Sequence, residues 1–179
     1  GGWVVAEDGS LTCLMKEVKA KNGETKTVDR GDIWTTRPYT DFDLTLEYKL
    51  SEGANSGVFY RTDRTNKVQG GFELQLMDNE GFQKTHGEKD DRKLNASFYD
   101  GKAPSHDASK PVGEWNHLRL TCQGPHIRIA LNGEMVVAVN VDDWKEVGMN
   151  PDGTTNKFKT ALAELPRKGL IGFQNHGQK

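Results

Sequence analysis

Gly71-Phe72-Glu73-Leu74-Gln75-Leu76-Met77-Asp78-Asn79 is the stretch that decides the fold. Phe72, Leu74 and Leu76 alternate with Glu73, Gln75 and Met77, the period of a half-buried β-strand. The apolar set must face a core. The other set brings a carboxylate and an amide within about 6.6 Å, two strand rises. Asp78 has the wrong parity for that polar face. A β-bulge after Leu76 would turn it back, and bulges gather near active sites. The stretch then reads E-x-Q-x-x-D, three polar groups on one wall.

The same alternation recurs on both sides. Upstream, Leu44, Leu46, Tyr48 and Leu50 alternate with Thr45, Glu47 and Lys49. In Ser56–Arg61, Val58 and Tyr60 face inward, so Gly57, Phe59 and Arg61 face outward. Downstream, Trp115–Cys122 and Ile127–Leu131 form a hairpin, and Asn132-Gly133 is a type I′ turn leading into Met135–Val141. Gly169–His176 puts Ile171 and Phe173 on one face and Gly172, Gln174 and His176 on the other. Near the start, Trp3–Ala6 and Leu11–Met15 flank an Asp8-Gly9 turn, and Asp32–Thr36 reads as a short strand. Residues 16–30 are charged and aperiodic, hence a loop. Residues 79–112 form a long polar stretch that should carry short structure of its own, with Ala96–Tyr99 ordered. Ala161–Leu165 reads as a helical turn stopped by Pro166. These runs predict an all-β chain of two packed antiparallel sheets, a jelly-roll sandwich. Its core is expected to contain Leu44, Leu46, Val58, Leu74, Leu76, Leu118, Leu120, Ile127, Ile129 and Ile171. No repeat or linker divides residues 1–179, so one domain is expected.

A formal net charge of -2 argues against nucleic acid or an anionic membrane surface as the main partner. No apolar run is long enough for a membrane span. Cys13 and Cys122 make no disulfide framework; two buried thiols or a single bridge are both open. Zinc-ligand spacing, a phosphate-cradling glycine motif and a nucleophile elbow are all lacking. Asp90-Asp91 and Asp142-Asp143 read as solvated loop charge, with Ca²⁺ as the alternative. What remains is the outward set: Arg61, Glu73, Gln75, Phe59, Glu47, Gln174 and His176, with Tyr99 and Asp78 nearby. Carboxylates and amides bond sugar hydroxyls, and aromatic rings cover the apolar face of a sugar. If their strands share one sheet, these residues line one groove.

At this point the residues resemble a known family. Ala54-Asn55-Ser56-Gly57-Val58-Phe59-Tyr60-Arg61, Phe72–Asp78, Glu114-Trp115-Asn116-His117 with Leu131-Asn132-Gly133, and Gly169–Gly177 together are similar to the 3-keto-disaccharide hydrolase domain family. The resemblance covers nearly the whole chain. It implies a concanavalin/laminin-G-like jelly roll acting on an oligosaccharide or glycoside. It also implies a bacterial, extracytoplasmic protein, periplasmic or secreted. The short ends, with no signal segment, are consistent with trimming. The E-x-Q-x-x-D stretch also resembles the E-x-D-x-x-E signature of family 16 glycoside hydrolases, with Glu73 at their nucleophile. Gln75 and the shorter Asp78 depart from it. A retaining pair needs carboxyl groups about 5–5.5 Å apart, so that mechanism is not carried over. A 3-keto sugar offers another route: a base removes the acidified C2 proton and the C1 substituent leaves. Glu73 or His176 is the expected base. Arg61 or a divalent metal ion is expected to stabilise the oxyanion. Gln75, Asp78, Glu47, Phe59, Tyr99 and Gln174 are expected to bind substrate. No cofactor is evident. The alternative is a carbohydrate-binding module of the same fold without chemistry.

Overall fold

The computed structural model describes residues 2–13, 16–19, 22–28, 31–87 and 89–176. The strands are β1 (Trp3–Val5), β2 (Leu11–Cys13), β3 (Lys16–Lys19), β4 (Thr25–Val28), β5 (Ile33–Trp34), β6 (Phe42–Lys49), β7 (Asn55–Thr62), β8 (Phe72–Met77), β9 (Trp115–Gln123), β10 (His126–Leu131), β11 (Glu134–Asn140) and β12 (Leu170–Phe173). One α-helix, α1 (Asn79–His86), follows β8. Two four-stranded antiparallel sheets face each other, ordered β5-β12-β7-β8 and β11-β10-β9-β6. The hairpins β1-β2 and β3-β4 form separate two-stranded sheets.

The alternation drives this packing. Val58, Tyr60, Phe72, Leu74, Leu76 and Ile171 from the first sheet meet Leu118, Leu120, Ile127 and Ile129 from the second, and all are buried. Leu44 and Leu46 are partly buried against them. Pairing of Leu44 with Leu120 and Leu46 with Leu118 keeps one face of β6 and β9 apolar. Asn132 and Gly133 both take positive φ, as the type I′ turn between β10 and β11 requires. Cys122 belongs to the core, where burial pushes its thiol up to about 12, and Cys13 is half-buried; both are free. Among the described residues no helix is long and apolar enough to cross a membrane.

Two local expectations are corrected. The stretch 16–30 contains the β3-β4 hairpin. Its strands are mostly Lys, Glu and Thr, so they lack apolar periodicity, but Asn22-Gly23 marks the turn. The bulge expected after Leu76 is absent: β8 keeps a continuous register with β7 from Phe72 to Met77. The bulge lies on β7 instead, where its pairing with β12 shifts between Leu170 and Gly172.

Candidate active site

Strand pairing places the outward residues in rows. Trp34 pairs with Gly172, Gly172 with Phe59, and Phe59 with Glu73. The segment at Phe98 adds to the free edge of β8: Phe98 bridges Leu74, and the Tyr99 N–H donates to the Glu73 carbonyl at 3.0 Å. One row therefore runs Trp34, Gly172, Phe59, Glu73, Tyr99. The next holds Gln174, whose N–H donates to the Gly57 carbonyl at 2.8 Å, then Gly57, Gln75 and Ser97. Asn55 lies two residues before Gly57 on the same face.

Glu73 is the chemical centre of this face. Its carboxylate is mostly buried and leans over Gly57, where a Cβ would stand 2.8 Å from Oε1. The other oxygen lies 3.6 Å from Lys157 Nζ. Burial raises the Glu73 pKa, opposed by Lys157 and Lys67. Burial likewise lowers the Lys157 pKa, opposed by Glu73 and Asp100. The two groups are thereby brought toward the neutral range in which proton transfer works best. Lys157 Nζ also sits 3.9 Å above the centre of the Tyr99 ring. Its backbone is pinned on both sides: its N–H donates to Asp100 Oδ2 at 2.6 Å, and its carbonyl accepts from Gln69 Nε2 at 3.1 Å. A second ion pair, Lys67 with Asp32 at 2.5 Å, closes the β5 side, and Asp32 also accepts the Asn175 N–H.

Several expected residues fall elsewhere. Arg61 does not enter this face. At the β7 bulge its φ is +51°, which reverses its parity and sends the side chain to the other sheet. Fully buried there, it donates to the carbonyls of Thr40 at 2.9 Å and Gly124 at 2.7 Å and pairs with Asp41. Glu47 faces outward as its parity requires, but on β6, in the opposite sheet. Asp78 lies just before α1 and accepts the Gly53 N–H at 2.8 Å. It helps line a cavity of about 590 Å³ with Met77, Asn79, Asn95, Asp107 and Asn116, beyond the Gln75 end of this face, where Gln75 Nε2 lies 4.0 Å from Met77 Sδ. His176 has the right parity, but β12 ends at Phe173 and His176 stands exposed beyond it. It is four residues past Gly172, about 13 Å of extended chain from the row that holds Glu73. Phe59 is in the row yet fully buried beneath Trp34, so its ring offers no open face.

Gln75, Gln174 and Tyr99 do join Glu73. The oxygens Asn55 Oδ1, Gln75 Oε1 and Gln174 Oε1 on this face are buried without a hydrogen-bond donor. Such orphaned acceptors cost about 1–3 kcal/mol each, and hydroxyls are the donors that would relieve them. Lys157, Lys67, Asp32 and Trp34 were not picked out by sequence reasoning. Three sit on loops, and Trp34 lies on a two-residue strand, where periodicity says nothing. The paired Asp-Asp segments serve as braces: Asp90 holds Arg92 and Asp142 holds Arg167. Among the described residues no three His, Cys, Asp or Glu side chains converge as metal ligands. The cation that faces Glu73 is an ammonium.

A family model described as the 3-keto-alpha-glucoside-1,2-lyase-like domain matches residues 1–179. The chain belongs to this family. A 3-keto-disaccharide hydrolase of Bacteroides thetaiotaomicron is 27% identical over 98% of the chain, which spans 66% of that protein. A candidate glycosyl hydrolase of Parabacteroides distasonis has a crystal structure that superposes with a TM-score of 0.76 at 30% identity, covering 92% of each chain. A second from the same organism gives 0.75 at 23% identity, over 99% of this chain and 78% of that one. The family is shown by the match over the whole chain, and the superposed structures share its β-sandwich fold.

Proposed function

We propose that this face cleaves the glycosidic bond of 3-keto glycosides, with Glu73 as base and Lys157 as the group that stabilises negative charge on the substrate. The pair of the buried Glu73 carboxylate and the half-buried Lys157 ammonium, 3.6 Å apart, carries this reading. The family description and the name of the Bacteroides relative support the substrate class. Beside a C3 ketone, the Glu73 carboxylate takes the C2 proton. The C–H electrons pass into the C2–C3 bond, and the C3 oxygen becomes an enolate. An ammonium held in a desolvated site stabilises that oxygen far better than it would in water. Collapse of the enolate restores the ketone, forms a C1–C2 double bond and expels the C1 oxygen, which takes the proton from Glu73. Water adding across the double bond then completes a net hydrolysis. The orphaned amide oxygens suit the hydroxyls of such a substrate.

The test uses p-nitrophenyl 3-keto-α-glucoside in deuterated water. Nitrophenolate release should fall by about 10²–10⁴ in Glu73→Gln, the range for losing a general base. The sugar product should carry deuterium at C2. Wild-type turnover in Glu73→Gln, or product without deuterium, refutes the assignment. The same amide oxygens would also serve a module that only binds sugar. That reading predicts binding in both proteins and turnover in neither.

A further inference from the structure

The Glu73 row ends at Trp34, a residue that the chemistry above does not use. Trp34 is half-buried. Its ring stacks on Phe59 with centroids 5.8 Å apart and planes 10° from parallel. It lies flat over Gly172: a Cβ there would stand 2.5 Å from Trp34 Cε3, 2.6 Å from Cζ3 and 2.7 Å from Cδ2. The backbone beneath the ring is therefore bare, and only glycine permits the approach. Phe59 is fully covered and Lys67 Nζ is 5.2 Å from its ring centre, so the aromatic stack is anchored from below and from one side. A large ring laid parallel to the sheet and held in one orientation offers a flat apolar surface at low entropic cost.

Its position relates it to Glu73. Two strands, those of Gly172 and Phe59, separate them, so their backbones are about 14 Å apart. The indole leans inward over Gly172, which reduces the gap between ring and carboxylate to about 10 Å. That is room for one pyranose at Glu73 with its glycosidic oxygen directed toward the indole.

We infer that Trp34 is the platform for a second sugar ring, the one across the scissile bond from the oxidised ring. The inference rests on the glycoside-cleaving reading for its orientation and adds the residue that takes the ring beyond the scissile bond. A hydroxylated sugar has an apolar C–H face that packs on the indole while its hydroxyls stay hydrated or reach the amides of the neighbouring row.

The test separates binding from chemistry. Trehalose, sucrose and maltose, with methyl α-glucoside as the one-ring control, are titrated against the wild type, Trp34→Leu, Trp34→Phe and Gly172→Ala. Leu keeps apolar cover over Phe59 but removes the flat surface; Ala at 172 lifts the ring. At least one disaccharide should bind about tenfold more weakly to Trp34→Leu and Gly172→Ala, with methyl α-glucoside unchanged. It should shift the tryptophan emission of the wild type and not of Trp34→Phe, a comparison that stands even if Trp34→Leu does not fold. Equal disaccharide binding in the wild type and in folded Trp34→Leu overturns the proposal, as does an emission shift that persists in Trp34→Phe or a wild type that responds to no disaccharide. Turnover of 3-keto-trehalose is followed separately. Its absence alongside Trp34-dependent disaccharide binding sinks the cleavage reading and leaves the platform standing.

Discussion

Gly57→Ala is the most discriminating change that the groove allows. The added Cβ would stand 2.8 Å from Glu73 Oε1, 3.3 Å from the Leu74 carbonyl oxygen and 3.4 Å from Glu73 Cγ. Ordinary contacts begin at about 3.5 Å, so Oε1 must retreat by about 0.7 Å. The Leu74 carbonyl belongs to the β7-β8 ladder and yields little, so the carboxylate moves. It is confined by burial and by Lys157, and a displacement of about 1 Å at a reacting group costs about 10² in rate. Stability responds far less. Crowding costs about 1–3 kcal/mol, and replacing glycine inside a strand returns about 0.5–1 kcal/mol. The net loss of about 0–2.5 kcal/mol lowers the melting temperature by up to about 10 °C, at about 2–4 °C per kcal/mol for a chain of this size. The assay pairs nitrophenolate release from the 3-keto glucoside with a thermal melt. The double variant Gly57→Ala/Glu73→Asp adds a check: the shorter acid lacks the oxygen that stands 2.8 Å from the new methyl, so Ala should cost it less than it costs the wild type. Wild-type kcat in well-folded Gly57→Ala would show that the carboxylate position is irrelevant and remove Glu73 from the mechanism.

Arg61→Met should cost about 3–5 kcal/mol in a denaturant melt, because two carbonyls and Asp41 lose a fully buried partner, yet leave turnover per folded molecule near wild type; a selective loss of kcat would restore Arg61 to the active site. His176→Ala should keep turnover within about threefold, since His176 stands exposed beyond β12; a hundredfold loss would make it the base. The Glu73–Lys157 pair sets a pH dependence. The Glu73 pKa is raised, so its contribution to stability is full below the unfolded value of about 4.3 and is lost as pH rises through the folded value. The Lys157 pKa is lowered, so its contribution is full above about 10.4 and is lost as pH falls through the folded value. The neutral double variant Glu73→Gln/Lys157→Met should therefore match or exceed the wild type at pH 7, by up to about 4 kcal/mol, with the margin shrinking toward pH 4. Denaturant melts across that range check the sign, and a margin that grows on acidification would contradict it.

The sandwich was legible because most of its strands keep a strict apolar alternation, and every core residue expected from that pattern faces the interior. Parity also grouped Glu73, Gln75, Phe59 and Gln174 correctly. It failed where the backbone departs from a regular strand or where parity is not the deciding variable. Arg61 was misplaced because one residue in the left-handed region reverses everything that period-two counting assigns after it. Glu47 was misplaced because facing outward does not say from which sheet, and strand order is a tertiary fact. His176 was misplaced because parity fixes the face and not the distance along the strand. Lys157 comes from a loop held by Asp100 and Gln69, and Lys67 from one tied to Asp32, all partners dozens of residues away in sequence. Asn22-Gly23 carried a readable turn signal, but the polar strands around it hid the hairpin.

The two ion pairs of the groove, Glu73 with Lys157 and Asp32 with Lys67, set two negative charges against two positive ones. At distances beyond the groove itself their fields largely cancel. A sugar diffusing in meets polar groups at contact but no long-range pull, so its rate of arrival should hardly change between dilute buffer and physiological salt. The same balance makes the groove a poor host for ionic sugars. A phosphorylated or carboxylated analogue would bring a charge that neither occupied lysine is free to neutralise, and would have to break an existing pair to enter.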